Sequence, residues 1–191
     1  QHTALDLHDR KCDQNLARLR KAGITGVRTV SGDACELDAV LTSFDAMLGE
    51  PALFDTVFID APCSGTGTMR RHPEIPWRLT ENDVTRELPK LQLTMLKEAA
   101  ARVAAGGELI YATCSVFDEE NTQVVDAFLA SPEGEGFFVE PLSEAQILQL
   151  PEFEQAKKLV SVRQNDRGLF QSAPVNADSY DGHFCARLVR K

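Results

Sequence analysis

The chain has 191 residues, enough for one well-buried domain and too few for two comfortable ones. With 43% hydrophobic and 26% charged residues it has an ordinary globular composition, and no apolar run approaches the roughly 20 residues of a membrane span. The formal net charge of −9 argues mildly against a nucleic-acid partner, although a local patch decides that question better than a sum.

Short apolar strands alternate with amphipathic helices, the pattern of an α/β sheet covered on both faces. Thr3 to Leu7 reads as a strand closing on Asp6, followed by a helix with Cys12, Leu16 and Leu19 on one face and Gly23 placed to end it. Val27 to Val30 predicts the next strand, closing on Ser31, Gly32 and Asp33. Phe54 to Ile59 has four apolar residues among six and stops at Asp60, which suits a central parallel strand buried on both faces. Thr80 suits a helix N-cap, with Asp83 three positions on, and Pro89 should kink that helix or start a second one.

Around that proline, Leu88, Leu91, Met95, Ala99 and Val103 keep helical spacing until Gly106-Gly107 ends the segment. Leu109 to Ala112 predicts another buried strand. Asp118 to Ala130 predicts a further helix, with Val124, Val125 and Phe128 facing inward. Ser131 to Asp181 predicts loops around one short strand near Phe137 and one short helix, and Phe184 to Val189 a closing strand.

Asp6, Asp33, Asp60 and Cys114 each fall at or just beyond the carboxyl end of a predicted strand, the edge where open parallel sheets bind ligands. Packing explains four reactive side chains there poorly. Taken alone, Asp33 serves equally well as a helix N-cap and Asp6 as a solvated turn residue. The five cysteines are scattered without CxxC spacing, so neither a zinc site nor a disulfide framework is indicated, and no metal is expected. Cys12, Cys35 and Cys185 read as small buried hydrophobes. The chain opens on Gln1 without a basic-then-apolar leader, and reduced thiols in a cytoplasmic protein are the expectation.

Two segments carry the chemistry: Asp60-Ala61-Pro62-Cys63-Ser64-Gly65-Thr66-Gly67-Thr68 and Tyr111-Ala112-Thr113-Cys114-Ser115, each directly after a buried strand. With Ala4-Leu5-Asp6, Gly32-Asp33, Arg70-Arg71-His72-Pro73-Glu74-Ile75, Trp77 and Asp181-Gly182-His183-Phe184-Cys185-Ala186-Arg187-Leu188, they closely resemble the RNA 5-methylcytosine methyltransferases. The resemblance is strongest to the bacterial Sun/Fmu (RsmB) group, which methylates cytosine in small-subunit ribosomal RNA. It covers most of the chain and is weakest over Ser131 to Asp178.

The resemblance implies a Rossmann-like, S-adenosylmethionine-dependent methyltransferase sheet, mostly parallel with helices on both faces. It implies that Cys114 adds to carbon 6 of the cytosine and that Cys63 helps release the methylated product. Asp60 would contact the ring nitrogen and lie beside the cofactor, and Pro62 would shape the pocket floor. Asp6 would hold the ribose hydroxyls and Asp33 the adenine amino group. This chemistry needs a thiolate because carbon 5 of cytosine is too electron-poor to take a methyl group directly; addition at carbon 6 makes it carbanion-like. The base must also leave its stack to reach such a pocket.

Arg70, Arg71 and Arg78 suit RNA phosphates, for which a solvated basic loop is an equal account. His72 receives no catalytic role, and Trp77 reads as a packed loop anchor rather than a base-stacking platform. DNA cytosine-5 methyltransferases attack with their Pro-Cys cysteine, which would make Cys63 the nucleophile; the presence of both segments favours Cys114. Transfer RNA as substrate, or a non-catalytic RNA-binding module keeping the fold, are the competing readings. A nicotinamide oxidoreductase needs a glycine-rich dinucleotide loop that the sequence lacks.

The resembled group also carries a glycine-rich cofactor loop after its first strand and an N-terminal helical RNA-binding region. Neither is found, so residues 1–191 are expected to be a partial catalytic domain, inactive alone and weak in cofactor binding. The absent strand would leave two interior edges, beside the strands ending at Asp6 and Asp60. Those edges are expected to pair directly or to be filled by another chain.

Overall fold

The computed structural model describes residues 2–141, 163–173 and 180–191. They form two compact units, Gln1–Leu53 and Phe54–Lys191.

In the first unit, β1 (His2–Asp6) and β2 (Val27–Ser31) pair in parallel through α1 (Asp9–Lys21), with Asp6 opposite Ser31. The expected face of α1 is the one turned inward: Cys12 is buried, and Leu16 and Leu19 are half-buried. The Cys12 thiol donates to the Val30 carbonyl at 3.3 Å, which ties the helix to β2. A second helix, α2 (Leu37–Leu48), goes beyond the expected elements. Its N-cap position, Glu36, makes no side-chain hydrogen bond and so announces nothing, yet Leu37, Val40, Leu41 and Phe44 keep helical spacing. Gly49 closes it in the left-handed region at φ 77°. Val40 packs so close to Gly32 that a Cβ there would stand 2.4 Å from Val40 Cγ2, so only glycine fits the turn before Asp33.

In the second unit, β3 (Phe54–Asp60) runs parallel to β4 (Val103–Thr113), and β4 runs antiparallel to β8 (His183–Arg190). β7 (Phe170–Ser172) and β6 (Arg163–Gln164) extend the sheet to the order β3-β4-β8-β7-β6, and β5 (Phe137–Val139) also pairs with β8. Leu109 and Tyr111 of β4 and Phe184, Ala186 and Leu188 of β8 alternate onto one buried face. Helices α3 (Leu88–Ala100) and α4 (Thr122–Leu129) supply the buried Leu96, Val125 and Phe128. Phe128 meets Phe137 edge to face at 5.5 Å between ring centroids.

Several expected boundaries shift for identifiable reasons. Thr80 and Asp83 form a reciprocal capping box: Asp83 N donates to Thr80 Oγ1 at 3.2 Å and Thr80 N to Asp83 Oδ2 at 2.8 Å. A π-helical turn, Asp83–Glu87, then precedes α3, whose first turn holds Pro89, where its missing N–H costs nothing. Val103 opens β4 rather than closing the helix, because it is already in register with Phe54. Gly106-Gly107 therefore bulges a strand instead of ending a helix. Gly106 stands at φ 74°, and a Cβ on Gly107 would lie 2.9 Å from the Asp55 carbonyl. α4 begins at Thr122 rather than Asp118, and the residues just before it enter the network described below.

β5 occupies the short strand expected near Phe137. The described part of Ser131 to Asp181 holds one 3-10 turn, Pro132–Gly134, and the unexpected β6–β7 pair; the rest of that stretch lies outside the described residues.

The expectation of a β3 buried on both faces is overturned. Only Ile59 is buried and Phe58 is 62% exposed, because β3 pairs with β4 alone and its other edge has no strand partner among the described residues. Among the described residues β1 likewise pairs with β2 alone. Among the described residues no helix is long and apolar enough to cross a membrane.

Candidate active site

The parallel register of β3 and β4 sets Asp60 opposite Ala112, two residues before Cys114, and Ala61 N donates to the Ala112 carbonyl at 2.9 Å. Both chemistry-bearing segments thus leave the sheet side by side at one carboxyl edge. The first turns away at Gly65, whose φ of 72° starts the 3-10 turn Thr66–Thr68. Gly67 then threads between two backbones: its N–H donates to the Cys114 carbonyl at 2.9 Å, and its carbonyl accepts from Gly182 N at 2.8 Å. A Cβ at Gly67 would come within 2.0 Å of the Gly182 carbonyl oxygen, so glycine alone permits this junction.

The result is a pair of half-buried thiols, with Cys63 Sγ 3.2 Å from Cys114 Sγ. They share a proton. The hydrogen bond from Cys63 pulls Cys114 down to about 6; burial opposes this, His183 assists, and the negative charge of Asp60 opposes. Cys63 is pushed up, first by its hydrogen bond to Cys114 and then by burial. Backbone N–H groups of Gly65 and Cys114 pull Cys63 the other way, the latter donating at 3.3 Å. The mutual hydrogen bond, and then the deeper burial of Cys63, make Cys114 the more acidic thiol of the pair.

Behind the sulfurs lies a polar network that sequence patterns do not announce. Glu120, fully buried, accepts from Ser64 N at 2.8 Å, Ser64 Oγ at 2.5 Å and Ser115 Oγ at 2.5 Å. Gln92 Nε2 donates to Glu120 Oε1 at 3.1 Å and to the Pro62 carbonyl at 2.9 Å. Tyr111 OH donates to the Glu120 carbonyl at 2.6 Å, and the neighbouring Asn121 accepts from Thr113 Oγ1 at 2.6 Å. The one available signal was the Cys-Ser pair that both motifs contain.

The other candidates divide. Asp60 is exposed at the tip of β3, and Pro62 is also exposed. Arg71 Nε donates to Asp181 Oδ2 at 2.7 Å, and Arg70 Nη2 lies 4.0 Å from Asp181 Oδ1. Arg71 holds the Asp181 carboxyl below its usual range. Trp77 is 89% exposed and is no packed anchor. His72 faces Glu74, with 3.4 Å between Nδ1 and Oε1.

Within the first unit, Asp6 and Asp33 lie at the same carboxyl edge of the β1–β2 pair. Asp6 Oδ1 accepts from His8 N at 3.0 Å, and Asp33 Oδ1 from Cys35 N at 2.8 Å. Asp6 Oδ2 lies 3.9 Å from Lys11 Nζ. Asp33 is not a helix N-cap, since α2 is entered at Glu36.

Comparison with known proteins agrees with this architecture. The family model for the 16S rRNA methyltransferase RsmB/F matches residues 1–188. A ribosomal RNA small subunit methyltransferase B of Shigella flexneri serotype 5b (strain 8401) is 36% identical over 138 residues, covering 72% of this chain and 27% of that relative. The chain thus spans about a quarter of that relative's length. Among solved structures, PH0851 superposes with a TM-score of 0.75 at 28% identity, over 97% of this chain and 36% of that one. NSun6 from Pyrococcus horikoshii with SFG superposes at 0.70 and 20% identity, over 98% of this chain and 41% of that one, a likeness of fold. The sheet is that of a Rossmann-like methyltransferase, and the chain belongs to the 16S rRNA methyltransferase RsmB/F family.

Proposed function

We propose that the protein carrying this chain methylates carbon 5 of a cytosine in small-subunit ribosomal RNA, with Cys114 as nucleophile and S-adenosylmethionine as methyl donor. One observation carries the reading: two thiols 3.2 Å apart where both motifs leave the carboxyl edge of β3 and β4. The hydrogen bond from Cys63 lowers Cys114 towards the thiolate, which is what covalent catalysis asks of a nucleophile.

In this reading the Cys114 thiolate adds to carbon 6 of a cytosine taken out of its stack, which turns carbon 5 into a nucleophile. Asp60 sits close enough to Cys114 to act on its titration, and so lies within reach of a ring bonded to that sulfur. Its carboxyl, hydrogen-bonded at the ring nitrogen, disperses the charge that builds there. After transfer, the carbon 5 proton leaves and the bond from Cys114 to carbon 6 breaks, with Cys63 aiding release. Arg70 and Arg71 exchange part of their hold on Asp181 for RNA phosphates.

The donor fits the residues present. Asp6 and Asp33 offer carboxylate acceptors at one strand edge, suited to ribose hydroxyls and an adenine amino group respectively. When bound, the cofactor supplies an electrophilic methyl group and nothing more.

The test uses the whole protein, labelled cofactor and 16S ribosomal RNA. Cys114→Ala should lower methyl transfer on the order of 10⁴-fold, as removal of a nucleophile does. Cys63→Ala should accumulate a covalent protein–RNA adduct that survives denaturing electrophoresis. Normal turnover by Cys114→Ala, or label at any atom other than carbon 5 of cytosine, would sink the reading.

A further inference from the structure

The two cysteines lie 51 residues apart in sequence, and neither loop is regular structure at its cysteine. Something must hold their sulfurs at a fixed separation. The register of β3 and β4 ends at Asp60 and Ala112, short of both. Beyond it, each cysteine is followed by a serine, and both serines reach the same oxygen atom. Ser64 Oγ and Ser115 Oγ each donate to Glu120 Oε2 at 2.5 Å. The other oxygen, Oε1, accepts from Ser64 N at 2.8 Å and from Gln92 Nε2 at 3.1 Å.

A carboxylate offers about four lone-pair sites, and here four donors fill them. Among the described residues its four hydrogen-bond donors are neutral groups, and the residue has no exposed surface. A carboxylate in that position persists only because its hydrogen bonds are complete. Resting on the functional reading above, we propose that Glu120 is a positioning residue for that reaction. It ties Ser64, by backbone N–H and hydroxyl, and Ser115, by its hydroxyl, to one carboxyl group, so sets the distance from Cys63 to Cys114, and through it the reactivity of the nucleophile.

The surroundings make the clamp stiff. Thr66 Oγ1 lies 3.1 Å from Ser64 Oγ and accepts from Val116 N at 3.2 Å, so the two loops are also bridged on the far side of the serines. Asn121 Nδ2 donates to the Ser115 carbonyl at 3.0 Å. Tyr111 OH holds the Glu120 carbonyl from β4, and burial, then the charge of Glu120, push its hydroxyl up so that it remains a donor. Gln92 anchors the carboxylate to α3 and, through the Pro62 carbonyl, to the residue before Cys63. The hydrogen bonds of the Glu120 carboxylate go to Ser64, Ser115 and Gln92, and so act through the neighbours of the cysteines.

Reactivity follows from separation. The shift of Cys114 rests first on its hydrogen bond from Cys63, while the other charged groups that act on or near it, Asp60, His183 and Arg71, stand outside the clamp. Loosening the clamp therefore lengthens one interaction and leaves the rest.

The test is the pH dependence of Cys114 alkylation by iodoacetamide in the whole protein, read peptide by peptide by mass spectrometry. Three variants are compared with wild type: Glu120→Gln, which keeps the volume, and Ser64→Ala and Ser115→Ala, which each remove one hydroxyl from Oε2. The expected result is a midpoint that rises from near 6 in all three. A rise of one unit slows alkylation at pH 6 about fivefold, because that much thiolate is lost. Methyl transfer should fall in kcat with the KM for cofactor unchanged. A merely structural role would lower the melting temperature and leave the midpoint where it was. An unchanged midpoint in folded Ser64→Ala and Ser115→Ala overturns the clamp, whatever becomes of Glu120→Gln. If the midpoint rises but the labelled atom is not carbon 5 of cytosine, the clamp stands and the functional reading falls.

Discussion

The two compact units of this chain are built to different standards of burial. In Gln1–Leu53 the buried apolar residues are Cys12, Leu41 and Ala52, while Leu7, Ile24, Met47 and Leu48 stand exposed. In Phe54–Lys191 the side chains of Leu96, Val103, Leu109, Tyr111, Val125, Phe128, Ala186 and Leu188 have no exposed surface. The unit holding Cys63 and Cys114 has its own close-packed core, and the unit holding Asp6 and Asp33 leans on local turns. Chemistry that depends on a 3.2 Å separation of two sulfurs needs the first kind of support. Accepting hydrogen bonds from a flexible ligand tolerates the second.

That contrast can be broken, beginning with its largest consequence. Phe128→Ala should destabilise the second unit by about 3–5 kcal/mol in urea denaturation, since it empties a fully buried aromatic site facing Phe137. A loss under 1 kcal/mol would mean the core is not what holds the cysteine loops. Asp6→Asn should weaken cofactor binding by calorimetry by about 1.5–3 kcal/mol, the value of a hydrogen bond to a charged group, without shifting the alkylation midpoint of Cys114. A shifted midpoint would show the two units are not separable in function. Smallest of all, Leu48→Ala should alter stability by less than about 0.5 kcal/mol, because that side chain is 53% exposed. A larger effect would show that the surface of α2 is covered in the whole protein.

How far the chain could be read follows the range of each interaction. Strand ends at Asp6, Asp60 and Thr113 were legible because alternation and apolar runs are local properties. The capping box at Thr80 and Asp83 was legible for the same reason. α2 lacked a side-chain cap and passed unnoticed, although its apolar spacing was present. Val103 kept the helical period of its predecessors yet joined β4, because pairing with Phe54 overrode local propensity. Trp77, expected to pack, stands open to solvent, a matter of tertiary burial that no spacing reports.

From residue order alone came the α/β architecture, the two cysteine motifs and the carboxylates at strand tips, because periodicity and turn chemistry act within a few positions. Only the folded chain brought the two sulfurs within 3.2 Å and set Glu120, six residues after Cys114, to gather the serines beside both cysteines. Those outcomes depend on groups 51 and 56 positions apart meeting at hydrogen-bonding distance. Such encounters are set by strand register and burial, which the order of residues does not state.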